Sequence, residues 1–529
     1  MYTRELVQQV IDGSLMNGAM SLLKTLTNNG VDVCFTNPGT SEMHMVAAMG
    51  QSGEMRSILG LFEGVCTGAA DGYGRIAGKP ACTLLHLGPG LGNGIANLHN
   101  ARRASTPIIN LVGNHALYHV EHDAPLTSDI DTLAKNVSSY IKSDSTAETL
   151  AADGMQALAR SMTSKPGSQG QISTMIIPAD ACWNEAEAIA ASIDVPARPS
   201  VDADRIKAVA GIIDATTVIL LNSTGLTTKG LIAANRIAEK TGCRVEATTF
   251  PARIDSGAGQ PYIARLPYFP EHVMGYLQGV GRIVLAGAEV PVSFFAYPNT
   301  AGLLIPDGCE VVRLAESQQD VVAALEDLAR EIDAPETYRC NDDKRPQMPE
   351  GELNAASIAA VVANLLPEDA IVCGDSGGGG AAFVPCQSAA KHTWLNLTGG
   401  SIGQGGPVAV GAAVACPDSR VLALLGDGAF MYTNQALWTQ AREKLNVTTV
   451  IYNNSIYGIL ETEYLRLGVN EIGRRAASMF DLSNPAVNHV DIARGMGVDG
   501  ERVDTLEGFI EALTRSFAQS GPYLIEAML

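Results

Sequence analysis

The chain has 529 residues, which is too long for one hydrophobic core and predicts about three domains. Hydrophobic residues make up 46% of it and charged residues 17%, as in an ordinary soluble globular protein. The formal net charge of −20 argues against nucleic acid and anionic membranes as partners, because both are bound through basic patches.

The cysteines and the N-terminal segment predict a reducing, cytoplasmic location. The ten cysteines are scattered and none forms a C-x-x-C pair, which argues against zinc sites, a thioredoxin-like motif and a disulfide framework. The opening segment MYTRELVQQVIDGSLMNGAM contains acids and no apolar core, so no signal peptide is predicted. No apolar run reaches the length of a transmembrane helix.

Short apolar runs alternate with helical segments along the whole chain, which predicts βαβ units and parallel sheets. The runs are, in chain order, VDVCF, PACTLLHL, PIINLVG and TMIIPAD, then TTVILLN, CRVEAT and RIVLAGAEV, then AIVCGD, VLALLGDG and TTVIYNN. Two polar, proline-containing seams lie between these groups, at residues 191–205 and 334–354. We therefore predict an α/β protein of three doubly wound parallel-sheet domains, spanning residues 1–190, 191–345 and 346–529.

The segment GDGAFMYTNQALWTQAREKLNVTTVIYNN, residues 426–454, places an acid and two amides at the ends of neighbouring predicted strands. Asp427 follows the run VLALL, the stretch TNQALWTQAREKL has helical apolar spacing, and Asn453 and Asn454 follow TTVIY. Open α/β sheets bind ligands at these strand ends, and carboxylate, amide and carbonyl oxygens suit Mg²⁺ carrying a diphosphate. The alternative is an ordinary βαβ unit with a turn aspartate and an asparagine cap. Three small residues let the backbone approach a ligand closely: Gly426, Gly428 and Ala429.

This pattern resembles the thiamine-diphosphate motif, a Gly-Asp-Gly that is followed further on by two asparagines. The resemblance extends over almost the whole chain and is closest to the group of acetolactate synthase, benzoylformate decarboxylase and pyruvate decarboxylase. It implies a pyrimidine-binding domain, a central domain and a diphosphate-binding domain, in the order of the three predicted units. It also implies thiamine diphosphate and Mg²⁺ as cofactors, with Asp427, Asn454 and the backbone oxygen of Ile456 as metal ligands.

The resemblance also implies a catalytic carboxylate on the pyrimidine-binding domain. In this family a glutamate hydrogen-bonds N1′ of the aminopyrimidine, which favours the imino tautomer whose 4′ nitrogen removes the thiazolium C2 proton. The stretch LGLFEGVCTGAADGYGR supplies Glu63 in a similar setting. The alternative is an ordinary surface glutamate. Apolar neighbours predict a desolvated carboxyl group instead: Leu61, Phe62, Val65 and Cys66.

Two glycine-rich loops in the last third resemble the loops that hold the cofactor. In LNLTGGSIGQGGP, Ile402 resembles the bulky apolar residue that keeps the cofactor in its bent V shape. Gly400 is expected to offer its carbonyl oxygen to the 4′-amino group. In VCGDSGGGGAAF, Gly377 and Gly378 stand where relatives contact the diphosphate, and here they offer only backbone N–H groups. Plain core and turn residues are the alternative.

The predicted substrate side resembles benzoylformate decarboxylase at two positions and departs from it at a third. Thr40 in TNPGTSEMH occupies the place of a substrate-contacting serine. His86 in LLHLGPGLGNG occupies that of the first active-site histidine, which transfers protons to intermediates. The second histidine of that enzyme is replaced by Phe294 in GAEVPVSFFAYP. A structural histidine at a strand end is the alternative for His86.

Other positions separate this chain from its relatives. The adjacent histidine pair of pyruvate decarboxylase is not present, and the catalytic glutamate of that enzyme falls on Leu460, with Glu461 and Glu463 next door. The stretch TTFPARIDSGAGQPYIARLP stands where acetolactate synthase carries its central-domain pattern, which argues against bound FAD and true acetohydroxy-acid synthesis. Three histidines are left without a role: His115, His119 and His122.

We therefore expect an enzyme that uses thiamine diphosphate and Mg²⁺ to decarboxylate a 2-oxo acid. The resulting enamine either takes a proton, which releases an aldehyde, or attacks a second carbonyl, which makes a carbon–carbon bond. The sequence leaves open the 2-oxo acid, the acceptor and whether FAD is bound in the central domain. The alternatives are an acetolactate synthase-type carboligase, a catalytically silent paralogue that binds the cofactor, and a nucleotide-binding protein. GPGLGNG and GGGG do not fit the G-x-G-x-x-G pattern of the last class.

The resemblance implies an assembly as well. In this family the pyrimidine-binding domain of one chain faces the diphosphate-binding domain of another, so Glu63 and Asp427 of different subunits would serve one cofactor. A homodimer is then the smallest active unit, and a homotetramer of two dimers is expected. The expected partners are a small-molecule 2-oxo acid and further copies of this chain, with no nucleic acid and no membrane.

Overall fold

The computed structural model describes residues 16–163, 170–342, 344–375, 377–469 and 471–529. In these ranges the strands form three mainly parallel sheets, which confirms the predicted α/β class. Every apolar run named above contains a strand. The helices of the described ranges include none with the length and apolarity needed to cross a membrane.

The N-terminal third folds into a sheet of six parallel strands that is covered by helices. The strands are β1 (Val33–Asn37), β2 (Arg56–Leu59), β3 (Ala81–Leu85), β4 (Pro107–Asn114), β5 (Tyr140–Lys142) and β6 (Gln171–Pro178). The helices are α1 (Gly18–Asn28), α2 (Met43–Ser52), α3 (Glu63–Ala77), α4 (Leu87–Ala104), α5 (Leu117–Val120), α6 (Ile130–Lys135), α7 (Leu150–Met162) and α8 (Ala179–Trp183). The spatial order is β2-β1-β3-β4-β6-β5. All residues of β6 are buried, as expected of a parallel strand that is covered on both faces.

The middle of the chain forms a smaller sheet. Its strands are β7 (Thr217–Leu221), β8 (Arg244–Ala247), β9 (Arg253–Ser256), β10 (Ala264–Arg265), β11 (Arg282–Ala286) and β12 (Glu310–Ala315). Its helices are α9 (Ala203–Ala210), α10 (Thr228–Thr241), α11 (Pro270–Tyr276) and α12 (Val321–Glu331). Five of these strands pair in parallel in the order β10-β8-β7-β11-β12, whereas β9 leaves this sheet.

The C-terminal third forms the largest sheet. Its strands are β13 (Ala370–Gly374), β14 (His392–Asn396), β15 (Val421–Gly426), β16 (Val447–Asn453), β17 (Asp499–Val503) and β18 (Tyr523–Met528). Its helices are α13 (Ala355–Leu365), α14 (Gly377–Ala381), α15 (Phe383–Cys386), α16 (Gly405–Ala415), α17 (Asp427–Met431), α18 (Ala436–Arg442), α19 (Gly458–Leu465), α20 (Arg474–Ala477), α21 (His489–Gly495) and α22 (Leu506–Ala518). The order is β17-β18-β16-β15-β13-β14-β9, and β9 pairs antiparallel with β14 at the edge.

The second predicted seam falls in the connecting segment between α12 and α13, and the first lies between α8 and α9 except for its last three residues, which open α9. The middle segment nevertheless contributes β9 to the third sheet, so the course of the chain does not divide the sheets cleanly at residues 190 and 345. The domain bounds given above stay a prediction.

The first and third sheets are joined by close packing of α3 against α16. A Cβ added to Gly411 would lie 1.8 Å from the backbone oxygen of Ala69, and one added to Gly72 would lie 2.1 Å from that of Val408. Such a close approach of two helices requires residues without side chains at the crossing. One hydrophobic core therefore runs from the first sheet into the third.

Each of these two sheets reverses its winding between a pair of neighbouring strands. The reversal lies between β1 and β3 in the first sheet and between β13 and β15 in the third. Loops that leave the carboxyl ends of such strands part in opposite directions and open a crevice, which is where ligands of α/β sheets bind.

Candidate active site

A histidine and a short turn lie together at the reversal of the first sheet. His86 follows β3, and the 3₁₀ turn Thr40–Glu42 follows β1. His86 Nδ1 lies 2.8 Å from Oε2 of Glu42 and 3.2 Å from Oγ of Ser41. The imidazole packs on Gly39, where an added Cβ would lie 2.1 Å from Nδ1. Because Nδ1 is engaged by the turn, Nε2 is the nitrogen of His86 that a substrate can use.

Glu42 is the residue that the sequence analysis missed at this edge. Its side chain is 1% exposed, and it also accepts hydrogen bonds from Gly39 N at 2.7 Å and from Ser41 Oγ at 2.6 Å. One buried carboxylate thus orients both the turn and the imidazole. The signal was present in TNPGTSEMH, where the acid closes the turn in the manner of a capping box. Thr40 is exposed at the start of the same turn.

Glu63 lies beside this group, at the first residue of α3. Asn93 Nδ2 on α4 donates to Glu63 Oε2 at 2.9 Å. A Cβ added to Gly90 would lie 3.4 Å from Glu63 Oε1 and 3.5 Å from His86 Cβ. The first turns of α3 and α4 therefore bring Glu63 and His86 together, although they lie 23 residues apart in sequence.

The surroundings of Glu63 are less apolar than its sequence neighbours suggest. Val65 and Cys66 are buried, but Leu61 is 47% exposed and Glu63 itself is only half-buried. Burial raises the pKa of the Cys66 thiol to about 12, and the nearby charge of Glu63 adds to the shift. The expected desolvation of the carboxyl group is therefore partial in a single chain.

The carboxyl edge of the third sheet carries Asp427 at the reversal and the two asparagines at the end of the neighbouring strand β16. Asp427 follows β15, and its Oδ1 accepts a hydrogen bond from Gly428 N at 2.8 Å. Its Oδ2 accepts one from Ser455 N at 2.7 Å, which ties the acid to the loop after β16. Burial raises the pKa of Asp427, although these backbone hydrogen bonds oppose the shift. The carboxylate, Asn454 and Ile456 are thereby held at one edge of the sheet.

These groups fit a divalent metal and a diphosphate. The described hydrogen bonds of Asp427 come from backbone N–H groups, so its buried charge has no lysine or arginine partner among the described residues. Asn454 is exposed on the adjoining loop, where its Oδ1 accepts from Ile456 N at 3.2 Å. A Cβ added to Gly428 would lie 2.2 Å from the ring of Tyr457, so this position needs glycine. Carboxylate, amide and carbonyl oxygens are ligands that Mg²⁺ prefers.

The two asparagines have different surroundings. Asn453 is buried and donates from Nδ2 to Glu526 Oε1 at 2.7 Å, while its Oδ1 accepts from Ser455 N at 3.0 Å. Glu526 Oε1 also lies 2.8 Å from His489 Nδ1, and Arg502 Nε donates to Oε2 at 3.0 Å. Burial alone would raise the pKa of Glu526, but these hydrogen bonds outweigh it and lower the pKa to about 2. The network holds the loop from which Asn454 extends.

Gly400 and Ile402 lie in the loop between β14 and α16. Gly400 has φ of 79°, and a Cβ there would lie 2.3 Å from the ring of Phe294. The side chain of Asn100 on α4 holds the loop through two hydrogen bonds. It donates to Ser401 O at 2.8 Å and accepts from Ser401 N at 3.2 Å. Ile402 is half-buried. Residues of all three sheets therefore meet at this loop.

Asp375 joins that loop to the glycine run. Asp375 follows β13 and lies shortly before Gly377 and Gly378, which open α14. Its Oδ2 accepts hydrogen bonds from Gly403 N at 3.0 Å and from Gly405 N at 2.9 Å. Burial raises the pKa of Asp375 to about 7. The sequence analysis missed this residue, although an acid at the end of the buried run AIVCGD was a visible signal.

Phe294 belongs to an aromatic cluster. Three rings have centroids 4.7 to 5.6 Å from its own: Phe295, Phe250 and Tyr268. Tyr297, from the same segment, donates from its hydroxyl group to Glu463 Oε1 at 2.9 Å and so ties the cluster to α19. Leu460 on α19 is 43% exposed. At Phe294, the position that corresponds to the second histidine of benzoylformate decarboxylase, the chain therefore presents an apolar surface.

Comparisons with known proteins agree with this geometry. The family model described as thiamine pyrophosphate enzyme, N-terminal TPP binding domain, matches residues 16–134, and the corresponding C-terminal TPP binding domain matches residues 373–527. A Mycobacterium tuberculosis protein provisionally named acetolactate synthase large subunit IlvX is 49% identical over 97% of this chain and 99% of its own. Benzoylformate decarboxylase of Pseudomonas aeruginosa is 27% identical over 95% of this chain and 96% of its own.

A solved structure shows the same likeness. The thiamine diphosphate-dependent 4-hydroxybenzoylformate decarboxylase of Rhodococcus jostii superposes with a TM-score of 0.83 at 25% identity and covers 97% of this chain and 99% of its own. The matched residues include both reversals described above. The chain therefore belongs to the thiamine-diphosphate-dependent enzymes, in the group that contains acetolactate synthase and benzoylformate decarboxylase.

Proposed function

We propose that this enzyme decarboxylates a 2-oxo acid with thiamine diphosphate and Mg²⁺, and that the product carbon then takes up a proton or joins a second carbonyl. The observation that carries the proposal is the placement of Glu63 beside the His86–Glu42 pair at one sheet edge. When bound, thiamine diphosphate accepts the electron pair that remains as CO₂ leaves. A relative named benzoylformate decarboxylase supports this reaction class.

The residues of the first sheet would handle protons. Glu63 would hold a proton against N1′ of the aminopyrimidine, with Asn93 fixing its Oε2. Glu42 accepts from Nδ1 of His86 and so leaves Nε2 to give a proton to the reacting carbon or take one from it. Thr40 lies on the same turn as Ser41 and would contact the carboxylate of the substrate.

The residues of the third sheet would hold the cofactor. Asp427, the amide oxygen of Asn454 and the backbone oxygen of Ile456 would ligate Mg²⁺, and the metal would neutralise the diphosphate in a chain that is itself strongly acidic. The remaining contacts would come from small or apolar residues: Gly377, Gly378, Gly428 and Ala429 at the diphosphate, Gly400 through its carbonyl oxygen, and Ile402 under the bend of the cofactor.

A second candidate is an acetolactate synthase-type carboligase, which the aromatic cluster around Phe294 favours. An apolar ring next to Gly400 supplies no proton, so protonation of the product carbon there has one donor fewer than in benzoylformate decarboxylase. A second carbonyl compound can then compete as the acceptor. The 49% identical relative carries a name of this class.

We also propose that the active unit is a homodimer at least, and a homotetramer of two dimers in solution, in the cytoplasm. The support is the resemblance to this family, together with the finding that Glu63 and Asp427 stand on different sheets and so can approach one cofactor from two subunits. Sedimentation with and without thiamine diphosphate would measure the assembly.

The test is CO₂ release by the purified chain with thiamine diphosphate and Mg²⁺ over a panel from pyruvate and glyoxylate to benzoylformate. Release from one 2-oxo acid, with the organic product identified as an aldehyde or a ketol, would support the proposal and choose between its two outcomes. If no acid is decarboxylated while the cofactor is bound, the proposal is wrong and a silent paralogue, or a lyase with another substrate, takes its place.

A further inference from the structure

A small, partly open cavity lies next to the loops proposed to hold the cofactor. Its walls come from the end of β13, from α16, α17 and α18, and from β15 and β16. It has about 10 Å³ of space for a water-sized sphere, which is close to the ~10–15 Å³ that one water molecule needs. Part of the wall is apolar, but four polar side chains line it as well. Thr433 already donates to Gly403 O at 2.6 Å, so three remain: Asp375, Gln440 and Thr449.

Each of these polar side chains is 1% exposed and has an unmet hydrogen-bonding group. Oδ1 of Asp375, both amide atoms of Gln440 and Oγ1 of Thr449 are buried without a hydrogen-bond partner among the described residues. Buried polar groups in proteins are nearly always paired, and an unpaired one destabilises the fold. Three unpaired groups around one cavity point to a ligand that pairs them.

We propose that this cavity binds one ordered water molecule that bridges Asp375, Gln440 and Thr449. The water would donate to Asp375 Oδ1 and accept from Gln440 Nε2 and Thr449 Oγ1, which is the usual number of about three bonds for a buried water. The amide N–H₂ of Gln440 disfavours a metal cation in the same place. An apolar ligand is excluded because it would leave the carboxylate oxygen unpaired.

The water matters for the site because the other oxygen of Asp375 holds the loop of Gly400 and Ile402. Oδ2 accepts from Gly403 N and Gly405 N, so a fixed Asp375 keeps that loop at a set distance from the glycine run of α14. Asp375 is thus a positioning residue for both loops. This consequence, unlike the water itself, rests on the proposed function.

The first experiment is a crystal structure of the full chain at about 1.5 Å resolution. We expect one density peak within hydrogen-bonding distance of Asp375 Oδ1, Gln440 and Thr449 Oγ1. A dry cavity in which Gln440 turns to donate directly to Asp375 would overturn the proposal. An ion at this place, recognised by its shorter contacts to oxygen, would overturn it too.

The second experiment compares Thr449→Val with Thr448→Val, two nearly isosteric changes on β16. The hydroxyl of Thr448 already has a partner, Ser516 Oγ at 2.6 Å, so its loss must destabilise the protein and provides the control. If Thr449 bonds a water, Thr449→Val should raise the unfolding equilibrium constant about tenfold, in the manner of Thr448→Val. If Thr449 is truly unpaired, valine will be neutral or stabilising, and the proposal fails.

The third experiment measures thiamine diphosphate binding by calorimetry, with Mg²⁺ present. Asp375→Ala leaves Gly403 N and Gly405 N without an acceptor and should weaken binding at least about tenfold. Asp375→Asn keeps an oxygen acceptor and should stay within about threefold. Equal binding by both variants would remove the positioning role. The density peak and the unfolding equilibrium need no cofactor, so a protein that fails to bind it would count against the proposed function and not against the water.

Discussion

The two sheet edges that carry the site share a topology but differ in their chemistry. Each lies where a parallel sheet reverses its winding. At the edge of the first sheet the polar groups are ionisable side chains. At the edge of the third sheet they are mostly backbone N–H groups and amides.

Because their polar groups differ, the two sheet edges can do different chemistry. At the first edge His86 is oriented by a buried Glu42, and Glu63 lies next to them, so protons can be held and moved there. At the edge of the third sheet Asp427 and its loop are fixed by backbone hydrogen bonds, so these groups stay in place and can bind a charged ligand. We therefore expect the third sheet to bind the cofactor and the first sheet to transfer protons, and substitutions on the two sheets should have different effects.

Replacing Glu63 with glutamine should give the largest loss. We expect turnover to fall by about 10²–10⁴-fold, the range that general acid–base catalysis contributes, while thiamine diphosphate affinity changes little. Single-turnover CO₂ release and calorimetric titration would measure the two effects. Glu54→Gln changes an exposed acid of the same domain, which bonds Thr27, and is the control. Turnover that survives in Glu63→Gln would contradict the proton-handling role of the first edge.

Replacing Asp427 with alanine should act on binding. We expect the affinity for Mg²⁺ in the presence of thiamine diphosphate to fall at least about a hundredfold, because one charged ligand is lost. Titration of the metal-depleted protein with Mg²⁺ would measure the change, and Asp418→Ala, at an exposed acid before β15, is the matched control. Unaltered metal affinity would show that the third edge does not bind the metal.

Glu42 should affect the rate through His86. In Glu42→Gln the imidazole loses its charged partner at Nδ1. We therefore expect kcat to fall by about 10- to 100-fold with little change in KM, which is less than the full contribution of a general acid or base. Steady-state kinetics would measure kcat and KM separately. Glu121→Gln, an exposed acid of the same domain, is the control. An unchanged kcat would mean that Glu42 only holds the turn.

Asp375 should make stability depend on pH at the third edge. Because burial raises its pKa from 3.8 to about 7, the folded protein binds this proton more tightly than the unfolded chain does. The stabilisation is complete below pH 3.8 and is lost as the pH rises to about 7, by up to roughly 1.4 kcal/mol per pH unit. Asp375→Asn should remove this slope in urea unfolding, and Asp307→Asn at an exposed position should not. Parallel curves for wild type and Asp375→Asn would contradict the raised pKa.

Much of this architecture could be predicted because local pattern determines it. Parallel strands that are buried on both faces appear in sequence as continuous apolar runs, and all the runs named at the outset contain strands. The helix predicted for TNQALWTQAREKL is an instructive exception, since α18 begins only at Ala436. The residues before it form turns, with Ala436 N donating to Thr433 O at 3.0 Å, and the side chain of Thr433 donates to Gly403 O at 2.6 Å.

The sequence by itself determined the α/β class, the Gly-Asp-Gly and double-asparagine motif, and the candidates Glu63 and His86, because motifs and apolar periodicity are local. Only the tertiary structure decided that Glu42 engages His86 and that Asp375 joins two loops. It alone placed β9 in a sheet formed by another part of the chain. Each of these pairings joins residues that are distant in sequence, and their choice depends on which buried polar groups find partners once the sheets are packed.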